Sequence, residues 1–347
     1  MFRKILIANR GEIAVRVIRA CAEMNIRSVA IFTEPDRYAL HVKRADEAHA
    51  VGEDPVGGYL NPHRIVNLAV ETGCDAIHPG YGFLSENPEL AEVCARRGIR
   101  FIGPVASVIR RMGDKTEARR AMIEADVPVT PGSEGNLADL DEALREAGRI
   151  GYPVMLKATS GGGGRGIRRC DDEAGLAQAW DRVVSEATKA FGSAEVFLEK
   201  CIVNPRHIEV QVLADSKGEA IHLFERDCSI QRRNQKLIEI APSPQLTPEQ
   251  RRYVCDLAVR ATRAVGYENA GTVEFLVADQ AVYFMEMNTR IQVEHTITEQ
   301  ITGIDIVREQ IRIAAGLPLS IRQEEVAMRG FAIQFRINAE DPKQDFL

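Results

Sequence analysis

Several features that mark other protein classes are missing from this sequence of 347 residues. No apolar run approaches the length of a membrane-spanning helix, and the opening residues MFRKILIANRGE lack the pattern of a signal peptide. The net charge of −6 gives no general basic field of the kind that nucleic-acid-binding proteins carry. The sequence therefore predicts a protein with neither a membrane nor a nucleic acid as its partner.

Paired cysteines are missing as well. The seven cysteines, at positions 21, 74, 94, 170, 201, 228 and 255, lie far apart and form no CxxC pair. A zinc site or a disulfide framework would need closer or more regular spacing. We therefore expect reduced thiols, most of them small apolar side chains in a core, and a cytoplasmic protein.

Two common nucleotide-binding fingerprints are absent where they would be informative. The chain contains no GxxxxGK[ST], and the first turn after KILIA reads ANRGEIA, without the GxGxxG that a dinucleotide-binding domain carries there. The glycines at 161, 163 and 166 do match GxGxxG, but they lie between the strand-like segments VMLKA and GIRRC. The sequence therefore predicts neither a Walker-type site nor a dinucleotide site.

What is present is a globular composition, 45% hydrophobic and 27% charged, with room for two or three domains. Residues 1–113 alternate strand and helix patterns, which favours a parallel sheet with flanking helices. Residues 114–130 predict a linker helix, and 131–203 predict a smaller unit that carries a glycine-rich hairpin. From 204 to 347 long alternating strands dominate. The predicted fold class is α/β followed by α+β.

One predicted hairpin carries two acidic residues. The segments TVEFLVAD and AVYFMEMN alternate like paired strands, and a turn about Gln280 would place Glu274 opposite Glu286. Like charges that face each other destabilise a sheet unless a cation neutralises them, and Mg²⁺ binds through carboxylate oxygens. Asn288 adds a third oxygen on the same face. The alternative is a solvated hairpin face whose acids stay apart, because the register is itself a prediction.

The stretch FMEMNTRIQVEH continues this polar pattern. In an extended chain, alternate side chains point to one face. The polar side chains that would share that face are Glu286, Asn288, Arg290, Gln292 and Glu294. The spacing therefore predicts one face with carboxylates, amides and a guanidinium side by side, which is a candidate binding wall.

The glycine run GGGGRG at 161–166 lies between two predicted strands. A glycine hairpin of this kind can fold over phosphates and offer its backbone N–H groups. Lys157 lies just upstream and Lys115 precedes the small unit, so two cations accompany the run. A flexible linker loop is the alternative, although four consecutive glycines cost considerable chain entropy.

Three further segments have both a functional and an ordinary interpretation. VFLEKCI at 196–202 would use backbone groups to bind an adenine edge, or is simply a strand end. In RHIEVQV, His207 lies on the polar face of a half-buried strand, where a surface residue is the commoner interpretation. QRRNQK at 231–236 is a solvated basic loop or, with Arg290, an anion pocket.

These segments together resemble a known family. The matching stretches, in order along the chain, are IANRGEIAVR, HPGYGFLSENPE, MGDK, KATSGGGGRGIR, RHIEVQV, ERDCSIQRRNQK, FMEMNTRIQVEHTITE and FRINAEDP. With them the chain resembles the biotin carboxylase component of biotin-dependent carboxylases, in the ATP-grasp superfamily. The resemblance implies a Rossmann-like pre-ATP-grasp domain followed by an ATP-grasp fold.

The resemblance also implies a reaction. Bicarbonate and ATP, with Mg²⁺ or Mn²⁺, would give carboxyphosphate, which carboxylates the N1′ nitrogen of biotin. The implied partners are a biotinylated carrier domain, a carboxyltransferase subunit and, in the full-length protein, a second copy in a homodimer. In the family the dimer interface uses the first helix, where Arg16, Arg19 and Glu23 share one face here.

Residue roles are implied by motif position. The implied metal ligands are Glu274, Glu286 and Asn288. The implied bicarbonate ligands are Lys236, Arg290, Gln292 and the backbone N–H of Val293. The implied catalytic set is Lys236, Arg290 as the main electrostatic catalyst, Glu294 as the base that deprotonates bicarbonate, and Arg336 as the group that stabilises the biotin anion. The implied ATP-site residues are Lys115, Lys157, Gly163, Gly164, Glu199, Lys200, Ile202, His207, Gln231, Asn234 and Leu276.

The sequence departs from the family pattern in three places. Ser160 replaces the first glycine of a commoner five-glycine run. Asn234 stands where many members have histidine, in QRRHQK. The family's domain also continues well beyond FRINAEDP, so we expect this chain to be C-terminally truncated. Two other functions stay open at this stage: a different ATP-grasp ligase, such as a carbamoyl-phosphate-type enzyme, and a nucleotide-binding module without catalysis.

Overall fold

A computed structural model describes residues 1–159, 166–192, 194–338 and 340–344. Its strands are β1 (Lys4–Ile7), β2 (Arg27–Thr33), β3 (Glu47–Gly52), β4 (Ala76–His78), β5 (Arg100–Phe101), β6 (Val154–Ala158), β7 (Ile167–Cys170), β8 (Val196–Lys200), β9 (Arg206–Ala214), β10 (Ala220–Arg232), β11 (Gln235–Ala241), β12 (Asn269–Ala278), β13 (Ala281–Asn288) and β14 (Ala332–Phe335). Its α-helices are α1 (Gly11–Glu23), α2 (Leu40–Arg44), α3 (Pro62–Glu71), α4 (Pro88–Arg96), α5 (Ala106–Gly113), α6 (Lys115–Glu124), α7 (Leu140–Ile150), α8 (Glu173–Phe191), α9 (Pro248–Ala264), α10 (His295–Thr302) and α11 (Ile306–Ala314).

The first unit is a parallel sheet in the strand order β3-β2-β1-β4-β5. Its central strand β1 is apolar along its length because helices cover both faces of such a sheet, and Ile5, Leu6 and Ile7 are fully buried. The predicted alternation of strand and helix in residues 1–113 is confirmed. Side chains of β1 and α1 share a core with α11 and with β12 of the large sheet, so the first unit packs firmly against the rest.

A small antiparallel sheet, ordered β7-β6-β8, forms the second unit together with α7 and α8. Helix α8 begins where the Asp172 side chain accepts from the Gly175 N–H, and it ends at Gly192, whose φ of 72° is left-handed. The predicted glycine hairpin joins β6 to β7. Gly163 and Gly164 lie outside the described residues.

The large sheet is antiparallel, in the order β13-β12-β9-β10-β11-β14. Strands β9 and β10 form a hairpin, with Ala214 opposite Ala220. A capping box begins α9, where Thr247 and Gln250 exchange hydrogen bonds. Helix α9 buries its apolar side against the sheet, which leaves the opposite face of the sheet to the polar residues described below.

The predicted pairing of Glu274 with Glu286 is confirmed, but by a different route from the expected turn. Strands β12 and β13 are joined tightly, with Ala278 opposite Ala281, and this register alone would not align the two acids. A β-bulge between Glu274 and Phe275 shifts the register by one residue. The bulge therefore brings the two carboxylates face to face.

The prediction of one extended polar wall from Glu286 to Glu294 is wrong in its second half. Strand β13 ends at Asn288, and residues 289–294 form bends and a turn before α10 begins at His295. Alternation therefore stops at Asn288. Side chains beyond this point reach the site because the chain folds back, not because they alternate along a strand.

Two residues at the tip of the β10–β11 hairpin have left-handed backbone conformations, Arg233 with φ 51° and Asn234 with φ 64°. A two-residue hairpin turn with positive φ at both positions favours asparagine. The departure of Asn234 from the family pattern is thus compatible with the local backbone.

The edge strand β14 carries an unusually apolar outer face. Phe331, Ile333, Phe335 and Ile337 are all exposed, and alternate residues share a face. The opposite face carries Gln334 and Arg336, which turn toward the polar side of the sheet. In the described part of the chain, no helix is both long and apolar enough to cross a bilayer.

Helix α1 shows how a predicted interface residue is used within the chain. The Arg16 guanidinium lies 2.9 Å from Glu299 and 2.7 Å from Asp305, and so ties α1 to the region of α10 and α11. Arg19 pairs with Glu23 on the exposed side, at 2.8 Å. The side of α1 that faces solvent therefore carries Arg19 and Glu23 but not Arg16.

A glycine where the small unit meets the linker gives a test of this packing. A Cβ on Gly132 would lie 2.5 Å from the carbonyl oxygen of Leu198, which belongs to strand backbone and cannot move freely. We expect Gly132→Ala to destabilise the protein by about 1–3 kcal/mol. Denaturant unfolding of the purified chain measures the change.

Gly148→Ala is the matched control, because a Cβ there meets nothing within 4 Å and the residue lies inside α7. That change should stabilise the protein by up to about 1 kcal/mol. Equal effects of the two substitutions would contradict the packing described for Gly132.

Candidate active site

A single ammonium group lies among three carboxylates at the centre of the large sheet. The Lys236 Nζ on β11 lies 3.1 Å from Glu274 and 2.9 Å from Glu294, and it also pairs with Glu209. Glu209, Glu274 and Glu286 form a row, because Glu274 pairs with Glu209 on β9 and with Glu286 on β13. The sheet register therefore builds a strongly acidic row with one lysine against it.

The charges of this cluster stabilise one another. Burial by itself would raise the pKa of Glu274, but the charge of Lys236 and the hydrogen bond with His207 lower it overall. Burial likewise opposes ionisation of Glu294, yet Lys236, Arg226 and Arg336 lower its pKa. For Lys236, burial acts to lower the pKa and the two acids raise it. Ionised carboxylates beside an ammonium are therefore the favoured state.

Glu286 is the exception in the row. Its side chain is exposed at the surface of a cleft, yet the protein walls displace water around it, which raises its pKa, and the neighbouring charge of Glu274 raises it further. The pair therefore retains a like-charge repulsion that an added cation would relieve. Two facing carboxylates and the nearby Asn288 oxygen are a donor set that suits Mg²⁺ or Mn²⁺.

Asn288 connects this pair to Arg290. Its amide nitrogen donates to Glu274 at 2.7 Å, and its amide oxygen accepts from the Arg290 Nη2 at 2.9 Å. Arg290 is also held by Glu86 of the first unit at 2.8 Å, and Glu86 accepts from the Thr289 N–H at 3.0 Å. A residue of HPGYGFLSENPE thus fixes the bend that presents Arg290 to the cleft.

The turn between β13 and α10 carries the remaining predicted bicarbonate ligands. Gln292 is buried and donates from its amide nitrogen to Glu274 at 2.8 Å. Val293 lies half-buried in the turn directly before α10. Glu294 is the N-cap residue of α10, but its side chain makes no capping hydrogen bond, and its carboxylate faces Lys236 instead.

Arg336 approaches Glu294 from the other side. Its Nη2 lies 3.1 Å from the Glu294 Oε2, and its Nε lies 2.5 Å from Glu239 on β11. The two oxygens of Glu294 are therefore shared between Lys236 and Arg336. The structure brings together all four residues of the predicted catalytic set, with Arg290 joined to them through Asn288 and Glu274.

The small unit contributes a second group of charges on the other side of the cleft. Lys157 on β6 forms an ion pair with Glu199 on β8, and Arg119 lies 3.8 Å from the same carboxylate. The pKa of Lys115 is lowered, mainly by burial and also by the charge of Lys157. The charges of Glu286 and Glu199 act in the opposite direction. Lys115 therefore interacts with charges of both the small unit and the acidic row, and its ammonium is placed to bind a polyanion between them.

Other residues predicted for the nucleotide line the same region with different exposures. The Lys200 ammonium donates to the carbonyls of Gly151 at 2.9 Å and Tyr152 at 2.8 Å, so its side chain supports the small unit. Ile202 follows β8 and is half-buried, and Leu276 on β12 pairs with His207.

His207 and Gln231 form a chain that leads to the acidic row. The His207 Nε2 lies 2.5 Å from Glu274, and its Nδ1 lies 3.0 Å from the Gln231 amide nitrogen. The Gln231 amide also donates to the Cys228 carbonyl at 2.8 Å. Asn234 lies exposed at the hairpin tip. Of the basic residues in QRRNQK, Lys236 is the one that enters the acidic cluster.

Sequence reasoning missed the residues that support this site from below. The polar face of RHIEVQV, interpreted as half solvated, is buried: Glu209 and Gln211 are fully inaccessible. Arg226, Glu86 and Glu239 were also missed as partners of site residues. Pairing β9 with β12 in register would have found Glu209, whereas contacts between distant segments, such as Glu86 with Arg290, leave no local signal in a sequence.

Comparison with known proteins gives a consistent result along the chain. Residues 1–109 match the family model described as "Biotin carboxylase, N-terminal domain". Residues 114–322 match the model described as "Carbamoyl-phosphate synthase L chain, ATP binding domain". Together the two models cover nearly all of residues 1–322.

Individual relatives are similar to this chain over its whole length. The 2-oxoglutarate carboxylase small subunit of Hydrogenobacter thermophilus is 58% identical over 100% of this chain and 74% of the relative. Biotin carboxylase 1 of Bacillus subtilis is 53% identical over 100% of this chain and 78% of the relative. The chain is therefore shorter than both.

A solved structure matches closely as well. It is the biotin carboxylase domain dimer of the Hydrogenobacter thermophilus 2-oxoglutarate carboxylase, in complex with MgADP, ADP and bicarbonate. It superposes with a TM-score of 0.94 at 58% identity, over 100% of this chain and 77% of that one. With whole-chain identity this high and a matching fold, the chain belongs to the biotin carboxylase family.

Proposed function

We propose that this chain catalyses the ATP-dependent carboxylation of biotin with bicarbonate, giving ADP, phosphate and N1′-carboxybiotin. The observation that carries the proposal is Glu294, an ionised carboxylate shared between Lys236 and Arg336 beside the acidic row. Glu294 can act as a proton acceptor. Lys236 on one side of it can bind a small anion, and Arg336 on the other side can bind a second substrate.

The triphosphate would enter between the small unit and the large sheet. Lys115 and Lys157 supply positive charge there, and we propose that Gly163 and Gly164, which lie outside the described residues, also contact the phosphates. Phosphoryl transfer depends on positioning and charge neutralisation more than on protein nucleophiles. Glu274, Glu286 and Asn288 would hold Mg²⁺ or Mn²⁺, which neutralises phosphate charge when bound. Glu199, Lys200, Ile202, His207, Gln231, Asn234 and Leu276 are the proposed surroundings of the nucleotide.

Bicarbonate would lie against Lys236 and Arg290, with Gln292 and the Val293 N–H completing the contacts. Two cations near one anion offset its repulsion from the γ-phosphate and hold the two reactants together. Glu294 accepts the bicarbonate proton, because its lowered pKa keeps it ionised. A bicarbonate oxygen then bonds to the γ-phosphorus, the bond to ADP breaks, and carboxyphosphate forms.

Biotin would be bound on the Arg336 side of Glu294. The C–O bond of carboxyphosphate would break to give CO₂ and phosphate, the phosphate would take the N1′ proton, and the N1′ nitrogen would bond to the carbon of CO₂. A guanidinium stabilises the negative charge that develops on the ureido oxygen when the N1′ proton leaves. Glu239 holds the Nε of Arg336, so the Nη groups are aimed into the cleft. The order of groups along the cleft is then phosphates and metal, bicarbonate, base, and biotin.

Partners and location follow from the family. We propose that biotin arrives on a carrier domain, that a carboxyltransferase subunit receives the carboxyl group, and that a longer form of the protein is a homodimer. The free cysteines, six of them buried and Cys201 half-buried, support a reducing, cytoplasmic setting. The separate sheets support domain boundaries at 1–113, 131–203 and 204–347, with 114–130 as the link.

The base is tested by Glu294→Gln, which keeps the size of the side chain and removes its ability to accept a proton. We expect carboxybiotin formation to fall by at least about 100-fold, while MgATP still binds. Turnover is followed by ADP release with free biotin, and nucleotide binding by calorimetry. Glu324→Gln, at an exposed position, is the control and should change neither; unaltered turnover in Glu294→Gln would remove the residue as base.

The bicarbonate site is tested by Lys236→Gln. Loss of the ammonium should raise the bicarbonate concentration for half-maximal ADP release about tenfold or more. Because Lys236 lowers the pKa of Glu294, its removal raises that pKa, so the acid side of the rate profile should move to higher pH. Lys217→Gln, in the exposed β9–β10 turn, serves as control. A bicarbonate dependence equal to wild type would contradict the assignment.

The metal site is tested by Glu286→Gln, which removes one of two facing charges. Without metal, the variant should unfold at the same or a higher temperature than wild type, because the repulsion that raises the pKa of Glu286 is relieved. It should also require more Mg²⁺ for half-maximal ADP release. A thermal melt and a Mg²⁺ titration measure the two effects; an unchanged Mg²⁺ requirement would exclude Glu286 as a ligand.

A further inference from the structure

Arg226 on β10 is a fully buried cation, and among the described residues it heads the fully buried side chains in size. Its guanidinium has acceptors on every side: Glu209 at 3.3 Å, Gln211 at 2.8 Å, Thr298 at 3.0 Å, Thr272 at 3.1 Å and Gln292 at 2.7 Å. All these contacts are internal, and the side chain has no exposed surface. Arg226 therefore does not touch a substrate.

A contribution to stability alone does not explain why an arginine is buried at this position. Burying a guanidinium is costly, and a buried ion pair often stabilises a protein no more than apolar side chains would. The charge partner here is Glu209, whose contacts with Arg226 are long, at 3.3 and 3.4 Å. The shorter bonds go to neutral groups, among them the Gln292 amide. What the guanidinium enforces is the geometry of those groups.

The Gln292 amide is held between two opposite charges. Its oxygen accepts from the Arg226 Nη2 at 2.7 Å, and its nitrogen donates to the Glu274 Oε1 at 2.8 Å. If the amide turned over, its NH₂ group would meet the guanidinium and its oxygen would meet a carboxylate. The pair of contacts therefore fixes the orientation, and the second N–H of the amide remains for an anion.

We infer that Arg226 is a positioning residue for bicarbonate, acting through the amide of Gln292. The inference rests on the proposed function, in which Gln292 binds bicarbonate. Arg226 also fixes the hydroxyls of Thr272 on β12 and Thr298 on α10. Strand β12, whose Thr272 pairs with Asn288 at the end of β13, and helix α10, which follows the anion-binding turn, are thereby held to one planar group.

Arg226→Lys tests this role because it keeps the charge and loses the planar fork of donors. Bicarbonate binding is measured directly, by titrating ¹³C-labelled bicarbonate with the purified chain and following its NMR line width, and MgATP binding by calorimetry. Bicarbonate affinity should fall about tenfold, while MgATP affinity stays within about twofold. Arg251→Lys is the matched control, since Arg251 pairs with buried Glu225 on the α9 side of the sheet, and it should change neither affinity.

A double-mutant cycle separates positioning from general support. Adding Arg226→Lys to Gln292→Ala should weaken bicarbonate binding no further, because the residue through which Arg226 acts is gone. If Arg226→Lys does not fold, Thr272→Val is the alternative variant. It leaves Arg226 in place and removes one of its hydrogen-bond acceptors. It should weaken bicarbonate binding without affecting MgATP.

The outcomes are distinguishable from those of the proposed function. Additive losses in the cycle, or equal losses of bicarbonate and MgATP affinity, would overturn the positioning role. A wild-type chain that binds bicarbonate but forms no carboxybiotin would contradict the proposed function, and the binding comparison would still decide the role of Arg226. A wild-type chain that does not bind bicarbonate would overturn both.

Discussion

The structure depends on one electrostatic constraint: Lys236 must neutralise acids that the sheet register forces together. Glu209, Glu274 and Glu286 lie in one row across adjacent strands, an arrangement that is unfavourable without cations. Lys236 compensates the inner end of the row, and Glu286 at the outer end stays under-compensated. The unequal distribution of charge is what makes one end suited to a resident lysine and the other to an exchangeable metal ion.

Around that cluster, the three units have different tasks. The large sheet supplies the acids and Lys236, the first unit supplies Glu86 to hold Arg290, and the small unit supplies Lys157 and Glu199. The first unit and the large sheet share one apolar core, whereas the small unit has a separate core of its own. Lys236 and the acidic row are thus built on a continuous packed body, whereas Lys157 and Glu199 belong to a separately packed element.

Much of this was predictable from the sequence. Hydrophobic alternation located the parallel first unit and the hairpin of β12 and β13, and motif resemblance named the family. The Glu274–Glu286 pairing was predicted from an assumed turn, although the structure obtains it from a bulge. The extended course beyond Asn288 was predicted wrongly, since polar alternation in FMEMNTRIQVEH looks the same in a strand and in a strand followed by a turn.

The parts that the sequence did not reveal are those that need three dimensions. Arg226, Glu209 and Gln211 occur in segments whose alternation looks like an exposed polar face, and burial of that face follows only from α10 packing over it. Glu86 reaches Arg290 across 204 positions of sequence, a contact that no local pattern encodes. Such supporting residues carry no nucleophile, metal-ligand spacing or glycine signature by which reading alone would find them.

The position of β14 at the edge of the large sheet has a consequence for Arg336. Arg336 follows directly on this strand, which pairs with β11 on one side only, and strands at a sheet margin open more readily than interior ones. Strand β11, which carries Lys236, pairs with β10 on one side and with β14 on the other. Fluctuation at the margin therefore releases the contact of Arg336 with Glu294 before it disturbs the contact of Lys236 with the same carboxylate.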